Sequence, residues 1–164
     1  MHRIQIQTGP IDIAAEQEAL WRGRPQVGAL VSFVGLMRDS NEGVGVSAMT
    51  LEHYPGMTER ALAGIADEAA ALWTLEGIRI VHRVGPLLPQ DPIVFVGVVS
   101  PHRGEAFRAC EFLIDYLKTR APFWKKETTA QGERCERWVD ARAADEAAAQ
   151  RWGQDSGDSA PPKS

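Results

Sequence analysis

The sequence predicts an α+β fold with a mainly antiparallel sheet, organised as one domain over residues 1–152. Strand-like and helix-like segments follow the order β-α-β-β-α-β-β-α-β-β-α, which fits this class better than a doubly wound parallel sheet. Two segments, 58–73 and 102–121, carry apolar residues at the i, i+3, i+4 spacing of amphipathic helices. The segment PIVFVGVVS, 92–100, is apolar on both alternations, as expected for a central strand covered on both faces.

Local patterns define the elements of the N-terminal half. RIQIQ alternates apolar and polar residues, as a half-buried strand does. IDIAAEQEALWRG is typical of a short helix, with Asp12 as the expected N-cap and Gly23 as the expected end. GALVSFVGLMR and VSAMTLEHY are strand patterns, separated by the turn-prone NEGVGV and ended by Pro55–Gly56.

The two amphipathic helices have predicted inward faces. GIRIVHRVG and PIVFVGVVS lie between them as strands joined by the turn-like PLLPQDP, and Pro122 ends the second helix. The residues expected to point inward are Leu62, Ile65, Ala66, Ala69, Leu72 and Trp73 on the first helix, and Ala106, Phe107, Cys110, Leu113, Ile114 and Leu117 on the second.

The C-terminal part is predicted to form a hairpin and a last helix. FWKKETT and RCERWVDA are the two strands of the hairpin, and residues 143–152 are Ala-rich and helical. Residues 153–164 are polar with Pro and Gly, and we expect a disordered tail there.

Composition excludes several classes of function. The 164 residues carry a formal charge of −4, which argues against broad nucleic-acid or membrane binding. The apolar runs are too short to span a bilayer, and the N-terminus lacks the apolar core of a signal peptide. Two cysteines without a CxxC spacing form no disulfide framework, so a reducing cytoplasm is the expected location.

Familiar cofactor and hydrolase motifs are missing from the sequence. The four histidines show no metal-ligand spacing, and neither a P-loop nor a GxSxG motif occurs, so we expect no metal and no cofactor. Cys110 falls on an apolar helix face and Cys135 lies between charges without a nearby histidine, so neither is expected to be a nucleophile. His53 and His82 lie on strand patterns and are expected to be structural.

Cations gather at three predicted strand or helix ends. Arg38 follows a strand, His102–Arg103 mark the passage from a strand to a helix, and KTRAPFWKKE, 118–127, sets four cations around two aromatic rings. Strand-to-helix junctions bind anions through free N–H groups, and an arginine adds a fork for phosphate or carboxylate. From the residues alone, SPHRGE is equally well explained as an oxyanion site and as a solvated first turn.

The cations of 118–127 have different expected roles. Arg120 is expected to compensate the negative end of its helix, worth roughly 0.3–1 kcal/mol. Lys118 follows Leu117 and borders the apolar face, where a partly desolvated amine can act as acid, base or nucleophile. Lys125 and Lys126 alternate sides of a strand, so at most one shares a pocket with Lys118.

Three long segments, LEHYPGMTE, HRVG…DPIVFVGVVSPHR and DYLKTRAPFWKKE, resemble the large, catalytic subunit of molybdopterin synthase, and the resemblance runs from about Gly28 to about Arg142. It implies an α/β hammerhead fold and a dimer of large subunits. Each large subunit would hold a small ubiquitin-like sulfur-carrier subunit, giving a heterotetramer. The implied reaction adds two sulfurs to cyclic pyranopterin monophosphate, delivered as a thiocarboxylate on the carrier's C-terminal Gly-Gly.

The resemblance also implies site residues, carried over motif by motif. Lys118 matches the catalytic lysine of the family, and Lys125 matches a second functional lysine. The implied substrate-binding residues are Leu36, Met37, Arg38, His102, Arg103, Lys126, Glu127 and Arg142, the last contributed by the dimer mate.

Two other functions remain compatible with the residues. One is a non-catalytic module that binds an acidic carrier-protein tail through the same basic stretch. The other is an enzyme that acts alone on a phosphorylated ligand. A sulfur-loaded partner is required for product formation only by the molybdopterin synthase hypothesis.

Overall fold

The computed structural model describes residues 2–41, 43–129, 136–139 and 143–154. This part of the chain contains four helices and two mostly antiparallel sheets, so the predicted α+β class is confirmed. The elements are β1 (His2–Gln7), α1 (Ile13–Trp21), β2 (Ala29–Leu36), β3 (Ser40–Asn41), β4 (Val44–His53), α2 (Met57–Leu72), β5 (Gly77–Arg83), β6 (Gly85–Leu87), β7 (Pro92–Ser100), α3 (Arg103–Arg120), β8 (Phe123–Thr129), β9 (Glu136–Val139) and α4 (Ala143–Gln154).

The first sheet has the strand order β1-β5-β7-β2, and only the β1–β5 pair is parallel. The apolar strand β7 lies inside this sheet, between β5 and β2, as its sequence predicts. One face is covered by α2 and α3, which share a buried cluster with β5 and β7. The other face is covered by α1, whose Leu20 packs with Val81 and Phe95.

Helix α1 begins and ends as predicted. Asp12 is its N-cap and accepts a hydrogen bond from the Ala15 N–H at 3.0 Å, while Gly23 follows the end of the helix at φ +74°. The helix packs closely on β7 at Gly97, where an added Cβ would lie 2.4 Å from the Leu20 side chain. A larger residue at position 97 would therefore force the Leu20 and Phe95 side chains to move.

The second sheet carries most of the candidate site. Its strand order is β3-β4-β8-β9, with β6 added along β4. The predicted hairpin of β8 and β9 is confirmed by their antiparallel pairing. A separate buried cluster lies under this sheet and consists of Met37, Val46, Met49, Leu51 and Leu87.

Two short strands, β3 and β6, are additions to the predicted order. The sequence predicts only a turn at 86–92, whereas Pro86 and Leu87 belong to β6 and pair with Thr50 and Met49. A strand of three residues carries too little alternation to be seen in the sequence, and its pairing with β4 is a long-range contact.

The predicted inward faces of the long helices are correct except at two positions. Phe107 is 62% exposed and Leu72 is 60% exposed, so both predictions were wrong. The buried arc of α3 is rotated towards Ala109 and Phe112, because Phe112 packs edge-on against Trp73 and Trp152, with ring centroids 5.3 and 5.5 Å away.

The C-terminal helix α4 ends at Gln154, two residues into the predicted tail 153–164. The rest of that tail lies outside the described residues, as do Cys135 and Arg142.

Candidate functional site

Arg38 lies on a short connection between β2 and β3, here called the Arg38 loop (residues 36–41). A register irregularity between Gly35 and Leu36 ends the regular pairing of β2. Leu36 is 55% exposed and Arg38 is exposed, whereas Met37 between them is only 4% exposed and packs in the core under the second sheet. The loop therefore presents an apolar side chain and a guanidinium on either side of a buried anchor.

Backbone hydrogen bonds hold this anchor on both sides. The Met37 N–H donates to the Asp91 carbonyl at 2.9 Å, and the Gln90 N–H donates to the Met37 carbonyl at 2.8 Å. With its N–H and carbonyl both engaged, Met37 is placed to fix the loop.

The far end of the Arg38 loop is tied to the second sheet. The Asp39 carbonyl accepts a hydrogen bond from the Val46 N–H at 2.7 Å. The Asn41 amide donates to both carboxylate oxygens of the buried Glu127, at 2.9 and 3.2 Å. Glu127, which the sequence analysis assigns to substrate binding, thus also contacts the loop that carries Arg38.

His102 and Arg103 lie at the N-terminus of α3. His102 is the N-cap residue, its side chain makes no capping hydrogen bond, and Arg103 is the first helical residue. Gly28 contacts this turn so closely that an added Cβ would lie 2.2 Å from the Pro101 carbonyl oxygen. An open depression of about 470 Å³ is lined here by Gly28, Pro101, His102, Arg103 and Gly104. Free helical N–H groups, the exposed Arg103 guanidinium and the exposed His102 imidazole suit it to an anion.

Lys118 lies in the last turn of α3. Its side chain is 48% exposed, and its Nζ lies 3.4 Å from the Asp145 carboxylate on α4. Arg120, in the same turn, makes two hydrogen bonds to Glu68 on α2, at 2.6 and 2.8 Å. Arg120 therefore has a structural partner on α2, in addition to the helix-end role that the sequence predicts, while Lys118 keeps half of its side chain in solvent.

Lys125, Lys126 and Glu127 follow one another on β8, opposite Leu51, Thr50 and Met49 of β4. Alternation along the strand puts Lys125 on the face of the buried Glu127 and Lys126 on the face of the exposed Trp124. Both lysines are half-buried. The strand begins at Phe123, whose ring stacks on His82 with centroids 3.8 Å apart.

His82 is buried and uncharged in this stack. Its Nδ1 lies 2.8 Å from the Arg83 carbonyl and donates to it. Burial, opposed by this hydrogen bond, lowers the pKa of His82 to about 4. His82 is structural, as the sequence predicts, and it fixes the start of the strand that carries Lys125.

The structure does not bring all the predicted site residues together in one chain. His102–Arg103 and Lys118 lie at opposite ends of α3. Lys118 is fifteen positions after Arg103, which corresponds to about 22 Å along the helix axis. Lys118 and Lys125 lie on either side of the turn at Ala121–Pro122. Arg142 lies outside the described residues.

The described part of the chain offers neither a reactive thiol nor a metal site. Cys110 is buried, and burial raises the pKa of its thiol to about 11. No group of three or more metal-ligating side chains occurs among the described residues. None of the helices in that part is long and apolar enough to cross a bilayer.

Sequence reasoning missed the residues that support the Arg38 loop. Asn41, Gln90 and Asp91 were not singled out, although they hold the two ends of the loop. The turn-like segment containing Gln90 and Asp91 was visible in the sequence, but its contact with residue 37 is a long-range one.

Comparison with known proteins decides the family. The family model described as MoaE protein matches residues 6–120. The chain belongs to the MoaE family. The molybdopterin synthase catalytic subunit of Ralstonia nicotianae is 60% identical over 153 residues, which cover 93% of this chain and 85% of that protein. The resemblance inferred from LEHYPGMTE and DYLKTRAPFWKKE is thereby confirmed.

Solved structures agree with this assignment. The MoaE protein of Burkholderia ambifaria MC40-6 is 57% identical, with a TM-score of 0.79 over 93% of this chain and 99% of that one. A chain of the complex of subunits 1 and 2 of molybdopterin-converting factor from Helicobacter pylori 26695 has the same fold, with a TM-score of 0.67 at 19% identity over 85% and 90% of the two chains. As a MoaE-family protein, the chain has the activity of a molybdopterin synthase catalytic subunit, a sulfurtransferase.

Proposed function

We propose that the chain takes sulfur from a small ubiquitin-like carrier, held as a thiocarboxylate on its C-terminal Gly-Gly, and transfers it to cyclic pyranopterin monophosphate. The observation that carries this proposal is the contrast between amines and thiols in the described residues. Lys118 has a half-exposed amine, whereas Cys110 is buried with a raised pKa. A sulfur donor from outside the chain fits this contrast, since a thiolate relay through Cys110 would require ionising a buried thiol.

The phosphate of the substrate is proposed to bind Arg38, His102 and Arg103. Arg38 stands on an anchored loop, so little backbone freedom is lost when its guanidinium binds. Arg103 adds a guanidinium, and His102 an imidazole donor, beside the N–H groups of a helix N-terminus. Leu36 and Met37 complete this part of the site, Leu36 by its exposed side chain and Met37 as the anchor.

Lys118 is proposed as the catalytic acid/base, with Lys125 assisting. The thiocarboxylate sulfur forms a C–S bond to a carbon of the pterin side chain while a C–O bond at that carbon breaks, and the Lys118 ammonium stabilises or protonates the departing oxygen. Water then cleaves the acyl–sulfur bond, which leaves the sulfur on the pterin and a carboxylate on the carrier. Lys126 and Glu127 continue the substrate-binding segment. Because Lys118 lies close to an activated acyl group in this arrangement, an isopeptide bond to the carrier is an expected side product.

The working site is proposed to form between two copies of the chain, within a heterotetramer that includes two carriers. Cations about 22 Å apart on one helix cannot hold one small substrate. A dimer mate can supply His102 and Arg103 to the Lys118 of the first chain, and Arg142 is proposed to cross in the same way. The complex of two subunits solved for the Helicobacter pylori protein supports the presence of a small subunit. The proposed unit is residues 1–152, acting in the cytoplasm.

Reconstitution tests the reaction. The purified chain is incubated with precursor and with thiocarboxylated or carboxylated small subunit, and the dithiolene product is read by mass spectrometry. Product is expected only with the thiocarboxylated carrier. Product formation without a sulfur-loaded carrier, or tight carrier binding with no consumption of precursor, would contradict the proposal.

Subunit mixing tests the shared site. Dimers of Lys118→Ala and Arg103→Ala chains, isolated through two different tags, contain one doubly damaged site and one intact site if residues cross the interface. At precursor concentrations well below KM, where the Arg103→Ala parent is also impaired, about half of the wild-type activity per dimer is then expected. Activity no greater than that of the parent variants would place Lys118 and Arg103 of each site in the same chain.

A further inference from the structure

The first sheet contains two buried arginines on β5, Arg79 and Arg83, and Arg83 has no role in the site described so far. Arg83, the last residue of β5, is 8% exposed, and its Nε has no hydrogen-bond partner among the described residues. Its ion-pair partner in that part of the chain is Asp91, whose carboxylate lies 3.6 Å from Arg83 Nη1. A buried guanidinium with one long ion pair and an unbonded Nε lowers the stability of the fold. Stability therefore does not explain why an arginine occupies this position.

The contrast with Arg79 on the same strand sharpens this point. Arg79 is equally buried but makes close bonds to Glu16, at 2.5 and 2.8 Å, and to Gln5 at 2.6 Å. These bonds link three elements of the first sheet and its covering helix. Arg79 is therefore accounted for by the fold, whereas Arg83 is not.

Asp91 closes the turn that precedes β7. Its carboxylate accepts the Leu88 N–H at 2.9 Å, and its own N–H donates to the Leu88 carbonyl at 3.0 Å. Gln90 within the turn has φ +75°, a left-handed conformation that costs a non-glycine residue free energy. A strained turn keeps its shape only where surrounding contacts hold it, and the Arg83 charge is one such contact.

This turn is also the anchor of the Arg38 loop. The Asp91 carbonyl and the Gln90 N–H make the two hydrogen bonds to Met37, and Arg38 is the next residue. A continuous line of contacts thus runs from the Arg83 guanidinium through the Asp91 turn to the backbone of Met37.

We propose that Arg83 is a positioning residue of the reaction, which through Asp91 sets the placement of the Arg38 guanidinium. The proposal rests on the proposed role of Arg38 in binding the substrate phosphate. Arg83 itself touches neither substrate nor carrier in this scheme.

Asp91→Asn is the principal test. The Asn side-chain oxygen still accepts the Leu88 N–H, so the turn keeps its closing bond while Arg83 loses its counter-charge. The KM for the pterin precursor is expected to rise roughly 3- to 10-fold, within the range of coupling between contacting residues. The kcat and the affinity for the carrier should stay within about twofold, because an interaction equal in ground and transition states affects KM alone.

Glu16→Gln is the matched control. It removes the carboxylate partner of the other buried arginine on β5 and leaves the Asp91 turn untouched. We expect a lower midpoint of thermal unfolding with an unchanged KM. An equal rise in KM for this variant would mean that any weakening of the sheet disturbs binding, and it would overturn the proposal.

A double-mutant cycle with Arg38→Ala separates the positioning role of Arg83 from the proposed role of Arg38 in binding the substrate phosphate. If Arg83 acts through Arg38, Asp91→Asn has no further effect on KM once Arg38 is alanine. A full additional rise in that background, or no rise in the wild-type background, overturns the positioning role. If Arg38→Ala alone leaves KM unchanged, the phosphate-binding role of Arg38 is wrong instead. Should Asp91→Asn fail to fold, Arg83→Gln, which keeps the Asp91 turn, is judged by the same cycle.

Discussion

The two ends of α3 carry cations in opposite electrostatic settings. At the C-terminus, Lys118 and Arg120 lie near the negative end of the helix dipole, and each contacts an acidic side chain. At the N-terminus, His102 and Arg103 lie near the positive end, and neither forms an ion pair with a residue that the structure describes. The ion pair with Glu68 and the helix dipole stabilise Arg120, and the same dipole favours Lys118. The dipole disfavours the Arg103 guanidinium at the N-terminus, so an anionic ligand explains that residue better.

Replacing Lys118 should produce the largest effect. With Lys118→Ala, the rate of dithiolene formation is expected to fall at least 100-fold, the lower range of a general acid–base contribution. The fold should be unchanged, because the side chain is half-exposed and its contact with Asp145 lies at the surface. Mass spectrometry of the product measures the rate, and an unchanged affinity for the carrier shows that the fold is intact. Turnover at the wild-type rate would remove Lys118 from the chemistry.

The C-terminal end of α3 leads into the stack of Phe123 on His82, which should respond to acid. Because burial lowers the pKa of His82 to about 4, the neutral imidazole is favoured in the folded state. This contribution is complete above the unfolded pKa near 6.5 and is lost as the pH falls towards 4. Between pH 7.5 and pH 5 the loss is roughly 2 kcal/mol of unfolding free energy.

Urea unfolding of the wild type and of His82→Gln at both pH values measures this loss. The variant should be the less stable protein at pH 7.5, since it lacks the stack on Phe123, but its stability should fall by roughly 2 kcal/mol less on acidification. His53, which also lowers the pKa of His82, is kept in both proteins. Equal falls for the two proteins would show that His82 is not the titrating group.

At the N-terminal end, Arg103→Ala should separate function from stability. The KM for the precursor is expected to rise about 10-fold, the loss of one charge-assisted contact. The free energy of unfolding should be unchanged or higher by roughly 0.3–1 kcal/mol, because a cation is removed from the positive end of a helix. Arg108→Ala, an exposed arginine of the same helix, is the control and should change neither quantity. A stability loss with unchanged KM would contradict the anion-site interpretation.

The sequence predicted those parts of the fold that depend on local pattern. The Asp12 cap, the buried strand β7 and the hairpin of β8 and β9 all follow from short segments. Phe107 was placed wrongly because a helical pattern shows that a face is buried but not how neighbouring rings rotate that face.

The candidate site likewise contains residues that local pattern predicts and residues that only long-range contacts reveal. Arg38, His102–Arg103 and Lys118 are visible as cations at predicted element ends, although their individual roles come from the family resemblance. The residues that hold the Arg38 loop in place cannot be predicted from the sequence. Asp91 meets Met37 and Asn41 meets Glu127 only after strands far apart in the chain have paired.

The smallest effect is expected at Arg120, and it tests whether the C-terminal cations really differ in role. Arg120 makes a two-bond contact with Glu68, lowering the Glu68 pKa, and its guanidinium lies 4.8 Å from the centre of the Tyr116 ring. Both partners of the ion pair are over two-fifths exposed, so solvent screening limits its value. Arg120→Ala should lower the unfolding free energy by about 1 kcal/mol, a difference that 1 M salt reduces.

Turnover by Arg120→Ala should match that of the wild type, because the Arg120 side chain is engaged by Glu68 on α2 and by Tyr116. Glu68→Gln, which removes the other half of the pair, should reproduce the same small stability loss. If Arg120→Ala instead reduces dithiolene formation as far as Lys118→Ala does, the last turn of α3 acts as one cationic surface, and the distinction between a structural and a chemical cation in that turn is wrong.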